Sequence, residues 1–228
     1  MSDEQPHLHE GGFYNPRTGQ EKIVLKTGAE TNGEYVQIES WNEPHMPGEP
    51  LHRHPFSSTT FHLLSGELDF EVDGQITHGN AGETVFVPAN AKHHFWNAGD
   101  EVAHHIQEFR PAKKIDRFFE TLFGLASEDK LNDKGLPNLL QLAVMLPYYK
   151  DEMRPARPPY WLVVPICILL YPIAYLLGYR ATYERYHTYD RSGVEARADS
   201  FAARLARGDA APEGATEAPG DSPPVHSP

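Results

Sequence analysis

The 228-residue chain holds a single cysteine, Cys167, so no disulfide can form within it. That usage is compatible with a reducing compartment. Positive charge is also scarce: 20 Lys and Arg stand against 32 Asp and Glu, a formal net charge of -12. A nucleic-acid binder normally presents a basic surface, so that partner class is set aside. The opening residues, MSDEQPHLHEGG, have neither the basic stretch nor the apolar stretch of a secretory signal. No internal repeat occurs. Long uncharged apolar runs are missing as well, with one exception between Tyr160 and Tyr179.

Residues 1–20 are polar and include Gly11, Gly12 and Pro16, the composition of a flexible arm. From Glu21 onward short apolar alternations such as KIVLKT, EYVQIESW, ELDFEVDG and ETVFVP are broken by Gly, Pro, Asn and Asp. Strands at intervals of roughly 8–12 residues with turn signals between them predict an all-β sandwich or barrel over residues 21–111. Asp73-Gly74 marks a hairpin turn. Before it, Leu68, Phe70 and Val72 share one face, with Glu67, Asp69 and Glu71 on the other. The aromatics Phe61, Phe70, Phe86, Phe95 and Trp96 are expected in the core. Residues 112–158 read as helical, with Phe119, Leu122 and Phe123 at helical spacing and a second apolar segment from Leu136 to Tyr149. Pro137 suits a first helical turn, and Pro147 should end or kink the helix.

The uncharged run has about the length needed to cross a bilayer, with Tyr160, Trp161 and Tyr179 at its ends and Arg157 and Arg180 beyond them. It predicts a single membrane-spanning helix over residues 160–180, with the β domain on the cytoplasmic side. The competing reading packs this segment on the barrel or on a second subunit. The tail, residues 181–228, is polar, and its composition from Ala206 onward is that of a disordered segment.

Chemistry concentrates in histidines. His52 and His54 are two residues apart, and on a strand such residues point to one face. His93 follows a Gly-x5-Pro turn and can meet them from a facing strand. Three neutral imidazoles aimed at one point suit a divalent transition metal: Fe, Mn, Ni, Zn or Cu. His62 fails the same test, because Thr59, Phe61 and Leu63 face one way and His62 the other. His94 is excluded against His93 by the same parity. Of the adjacent His104 and His105 only one can point inward, and Glu108 shares the face of His104.

These residues resemble the paired motifs of the cupin superfamily. The first appears as Gly48, His52, His54 and Gly66, with the Gly48 spacing shortened. The second appears as Gly82, Pro88, Asn90, His93 and Asn97, where Asn90 replaces a glycine and is the residue that best tolerates a left-handed backbone. The resemblance implies a small jelly-roll-like cupin β-barrel followed by C-terminal α-helices, and His52, His54 and His93 as metal ligands. It also implies a fourth, acidic ligand at a position held here by Thr59, whose neutral hydroxyl is a weak substitute. Losing that charge should lower affinity for hard ions such as Mn²⁺, although a three-His centre suffices in some cupin oxygenases. Implied functions are dioxygenase- or isomerase-like chemistry, or alternatively a small-molecule binding or sensory module without turnover. Expected partners are a small-molecule ligand or substrate, a membrane through Tyr160–Tyr179, and a second copy of the chain.

Overall fold

The computed structural model describes residues 9, 11–187, 192–207 and 216–217. Two sheets form the body. One runs in the order β1 (Phe13–Asn15), β2 (Gln20–Lys26), β3 (Val36–Asn42), β10 (Ala103–Arg110), β5 (Ser58–Ser65), β8 (Thr84–Val87), β12 (Thr216–Glu217). The other runs β11 (Arg154–Pro155), β4 (His52–Arg53), β9 (His93–Trp96), β6 (Glu67–Val72), β7 (Gln75–Asn80). Apart from the β8–β12 pair, every pairing is antiparallel. This is a mainly β, cupin-like fold followed by helices.

The alternation read in the sequence fixes which faces meet. Along β5 Thr59, Phe61 and Leu63 are buried while their neighbours are not. On β6 Leu68, Phe70 and Val72 are buried. With Val85, Val87, Phe95 and Ala103 they form the core between the sheets. Phe86 and Trp96 do not join it, contrary to expectation, because each sits one residue out of phase with Val85, Val87 and Phe95. The β6–β7 hairpin turns on Asp73 and Gly74 at φ 48 and 86, the positive pair that a tight hairpin demands.

Helix α1 (Ile115–Ser127) lays Phe118, Phe119 and Phe123 against the barrel beside Val36, Ile38 and Phe109. Helix α2 (Leu139–Tyr148) begins after Asn138, whose side chain accepts from the Gln141 N–H at 3.0 Å, and it ends one residue beyond Pro147. Pro137 therefore precedes the helix rather than opening it. The chain then returns as β11 alongside β4.

The membrane-spanning expectation is overturned. Helix α3 covers Tyr160–Leu176, 17 residues, a length of about 26 Å against a hydrocarbon core of about 30 Å. Among the described residues no helix is long and apolar enough to cross a membrane. The single-pass localisation, with the barrel on a cytoplasmic side, falls with it. The helix starts behind Pro159 and stops before Gly178, so Tyr179 lies outside it. Cys167 and Ala174 bury one side of α3 in the core that α1 and α2 build.

The outer segments are also more structured than their composition suggests. Phe13–Asn15 of the N-terminal arm pairs with β2. Helix α4 (Ser192–Ala206) packs Val194, Ala198 and Phe201 on Ile23, Leu25 and Ile106. The stretch 181–228 is thus ordered in part. Beyond residue 207 the disorder expectation falls mostly outside the described residues.

Candidate metal centre

The antiparallel register sets His52 of β4 directly opposite His93 of β9. His54 follows two residues after His52 and turns to the same point. The rings stand 4.5 to 5.2 Å apart between centroids, and one nitrogen from each lies within 4.8 Å of the others. All three side chains are buried.

Each imidazole is oriented through its other nitrogen. His52 Nδ1 lies 2.8 Å from the Pro50 carbonyl, His54 Nδ1 2.7 Å from the Glu152 carbonyl, and His93 Nδ1 3.0 Å from the Ala91 carbonyl. A carbonyl only accepts, so each Nδ1 carries the proton and each Nε2 keeps a free lone pair. His52 Nε2 and His54 Nε2 then face each other at 3.2 Å, two acceptors with no proton between them. Two atoms each about 2.1 Å from one ion lie roughly 3.0 Å apart at a right angle and roughly 3.4 Å apart at the tetrahedral angle. The residues fit a divalent transition metal. Burial supports the same state: it pushes the His54 pKa down to about 3, lowers His52, and drives His93 well below its ordinary value. All three are neutral donors near pH 7.

The surrounding turns hold the strands in place. Asn90 adopts φ 68, the left-handed conformation that favoured it over other replacements for glycine. Gly48 sits at φ 67, and a side chain there would bring its Cβ to 2.0 Å from the Phe95 carbonyl. Asn97 donates to the carbonyls of Asn42 and Glu101 at 2.9 and 2.7 Å, closing the end of β9.

The other histidines and acids lie elsewhere. His62 meets Thr84 and the Phe201 ring. His94 pairs with Glu71 at 3.0 Å. His104 stacks on Trp41 and pairs with Glu39 at 2.8 Å, whereas His105 is the inward member, fully buried against Phe61 and Phe95. Glu108 is held by Gln37 and Arg110. Thr59 is buried, and its hydroxyl has no hydrogen-bond partner.

Two charged residues not singled out in the sequence stand beside the centre. Glu49 Oε2 is 3.8 Å from His52 Nε2, and its Oε1 is 3.2 Å from Lys22 Nζ. Lys22 also donates to Gln107 at 2.8 Å and to Ser40 at 3.3 Å, over the face of Phe119 at 4.9 Å. Burial pulls the Lys22 ammonium below its ordinary pKa against the pull of Glu49. Burial pushes the Glu49 carboxyl up, but Lys22 and His52 outweigh it and hold the group below its ordinary value. The available signals were slight: Lys22 interrupts an apolar strand, and Glu49 lies three residues before His52.

His52, His54 and Glu49 line a cleft walled mainly by Phe118, Phe119, Phe123, Leu142 and Met145 from the helices. Gln20 and Thr18 also line it. Both are buried, and neither the Gln20 amide nor the Thr18 hydroxyl has a hydrogen-bond partner.

Residues 42–106 match the family model described as the cupin domain. This chain carries a cupin domain. A curated relative of this cupin region, "Polyketide synthase CurC" of Streptomyces cyaneus, is 31% identical over 67 residues, 28% of this chain and 44% of that protein. The chain thus spans less than half the length of that relative. Among solved structures, it is similar to an RmlC-like cupin from Shewanella frigidimarina NCIMB 400, at 23% identity and TM-score 0.40 over 49% of this chain and 96% of that one. KdgF from Halomonas sp. shows 14% identity and TM-score 0.40 over 51% and 98% of the two chains. Pac13, a nucleoside dehydratase, shows 17% identity and TM-score 0.38 over 46% and 78%.

Proposed function

We propose that this cupin chain is a metal-dependent enzyme for a small, largely apolar molecule carrying a carbonyl or hydroxyl oxygen. The observation that carries the reading is the opening of His52 and His54 onto the apolar cleft between barrel and helices. A molecule lying there places its body among the phenylalanines of α1 and its oxygen at the imidazoles. A bound divalent ion supplies Lewis-acid polarisation of that oxygen. The chain's own residues bind and orient: Gln20 offers both a donor and an acceptor that nothing else satisfies, and Thr18 adds a hydroxyl. Apolar side chains of α1 and α2 line the rest of the cleft.

Independent acid–base machinery in the cleft wall is sparse. Besides the histidines, its ionisable side chains are Glu49, tied to Lys22, and Tyr149, whose phenol burial pushes up to about 12. Isomerase- or dioxygenase-type chemistry centred on the metal is the class this supports. The name of the curated relative, a polyketide synthase, supports a substrate of polyketide type. The unpartnered Gln20 amide also favours a second reading, a binding module that releases its ligand unchanged. Incubating the metal-loaded full-length protein with stabilising ligands tests both. New products, or O₂ uptake, support the enzyme; ligand recovered intact supports the binding module. Protein purified metal-free from cells grown with trace metals overturns the metal centre.

A further inference from the structure

We infer that Glu49 supplies the carboxylate missing at Thr59, so that the shell is three histidines and one acid drawn from the loop before β4, with Lys22 positioning it. The inference rests on the metal-centre reading and adds to it a residue outside the cupin pattern.

The two oxygens of Glu49 are divided between different tasks. Oε1 faces Lys22 at 3.2 Å, and Oε2 faces His52 Nε2 at 3.8 Å. Two ligands about 2.1 Å from a common ion lie between roughly 3.0 Å apart at a right angle and roughly 4.2 Å apart in trans arrangement. The Glu49–His52 separation falls inside that interval. Glu49 Oε2 is not within 4.8 Å of all three donor nitrogens, because the set that meets this limit holds only His52, His54 and His93. Ligation therefore takes a swing of the carboxylate toward His54 and His93, about its contact with Lys22.

The surroundings favour that carboxylate over others. The Glu49 side chain is 11% exposed and lines the cleft with His52 and His54. Glu71 pairs with His94, Glu39 with His104, and Glu108 with Arg110; Glu152, buried with an unpartnered Oε2, does not line the cleft that Glu49, His52 and His54 share. Thr59, on β5, offers a neutral hydroxyl. A largely buried carboxylate beside His52 restores one negative charge to the shell once it swings in, which hard ions need. Lys22 holds the other oxygen as outer-shell partners of ligating carboxylates do.

The test is Co²⁺ binding to the metal-free full-length protein, followed by titration and by the visible absorption of the bound ion, for the wild type, Glu49→Gln, and Lys22→Met/Glu49→Gln. The double variant removes both buried charges and serves if the single variant fails to fold. Thermal unfolding in chelator confirms the fold of whichever is used. The expected result is a loss of Co²⁺ affinity beyond about 10-fold together with a changed absorption spectrum, since the ligand set itself changes. An unchanged spectrum, or a smaller loss, overturns the role of Glu49 while leaving the three-His centre standing. A wild type that binds no Co²⁺ overturns both.

Discussion

Replacing Lys22 by Met probes the electrostatics of the centre most sharply. The Lys22 side chain is 2% exposed and that of Glu49 11%, so water screens the pair only weakly. Removing the ammonium deletes the 3.2 Å ion pair and the hydrogen bonds to Gln107 and Ser40, and leaves the Glu49 carboxylate buried beside His52. Breaking a buried pair from one side costs about 3–5 kcal/mol. For a chain of this size that corresponds to a fall in Tm of roughly 6–20 °C. Lys22→Met/Glu49→Gln removes both charges and should recover most of the loss, because a buried pair and its neutral replacement are often nearly equal in stability. Without Lys22, burial dominates the Glu49 carboxyl and it binds a proton at higher pH, so the deficit of the single variant narrows as pH falls. The assay is urea unfolding of chelator-treated protein by circular dichroism. A Lys22→Met cost under about 1 kcal/mol, or a double variant no better than the single, refutes the reasoning.

Other perturbations follow from individual contacts. His105 is buried with its pKa well below 6.5, chiefly by desolvation, so below pH 6.5 the unfolded chain takes up a proton the folded chain refuses. Stability then falls with pH by at most about 1.4 kcal/mol per unit, and His105→Leu should show a shallower slope by up to that amount between pH 6.5 and 4.5. Parallel slopes in urea midpoints would count against it. Gly48→Ala sets a Cβ against the Phe95 carbonyl at a positive φ. It should cost about 2 kcal/mol or more in urea unfolding and weaken metal uptake by shifting the loop before His52. Gln20→Leu removes two unpartnered buried polar atoms. It should raise the stability of the ligand-free protein by about 1 kcal/mol while reducing thermal stabilisation by cleft ligands; a destabilised variant would show that the amide is satisfied in solution.

The barrel was legible because its strands obey a period of two. Phe61, Leu63, Leu68, Phe70 and Val72 declare one face without help from context. The same parity brings His52, His54 and His93 together and keeps His62 and His94 apart from them. Parity gave no handle on Glu49, which sits in a loop where side-chain direction follows from packing. It also failed for Lys22, because β2 is buried along almost its whole length, with α4 covering one side. The closing of residues 112–158 over the centre, with the Glu152 carbonyl on His54 and β11 beside β4, joins positions far apart in the chain. The run from Tyr160 misled for a related reason. Its lack of charge matches a bilayer span, but Pro159 and Gly178 bound a shorter helix whose Cys167 and Ala174 pack on the neighbouring helices.

Metal held by three histidines is the property on which the proposed chemistry depends. Elemental analysis of the full-length protein from cells grown with trace metals, alongside His93→Ala, measures this in one experiment. The expected result is close to one divalent transition-metal ion per wild-type chain and far less in the folded variant. A metal-free wild type, or a His93→Ala variant with undiminished metal, would contradict it.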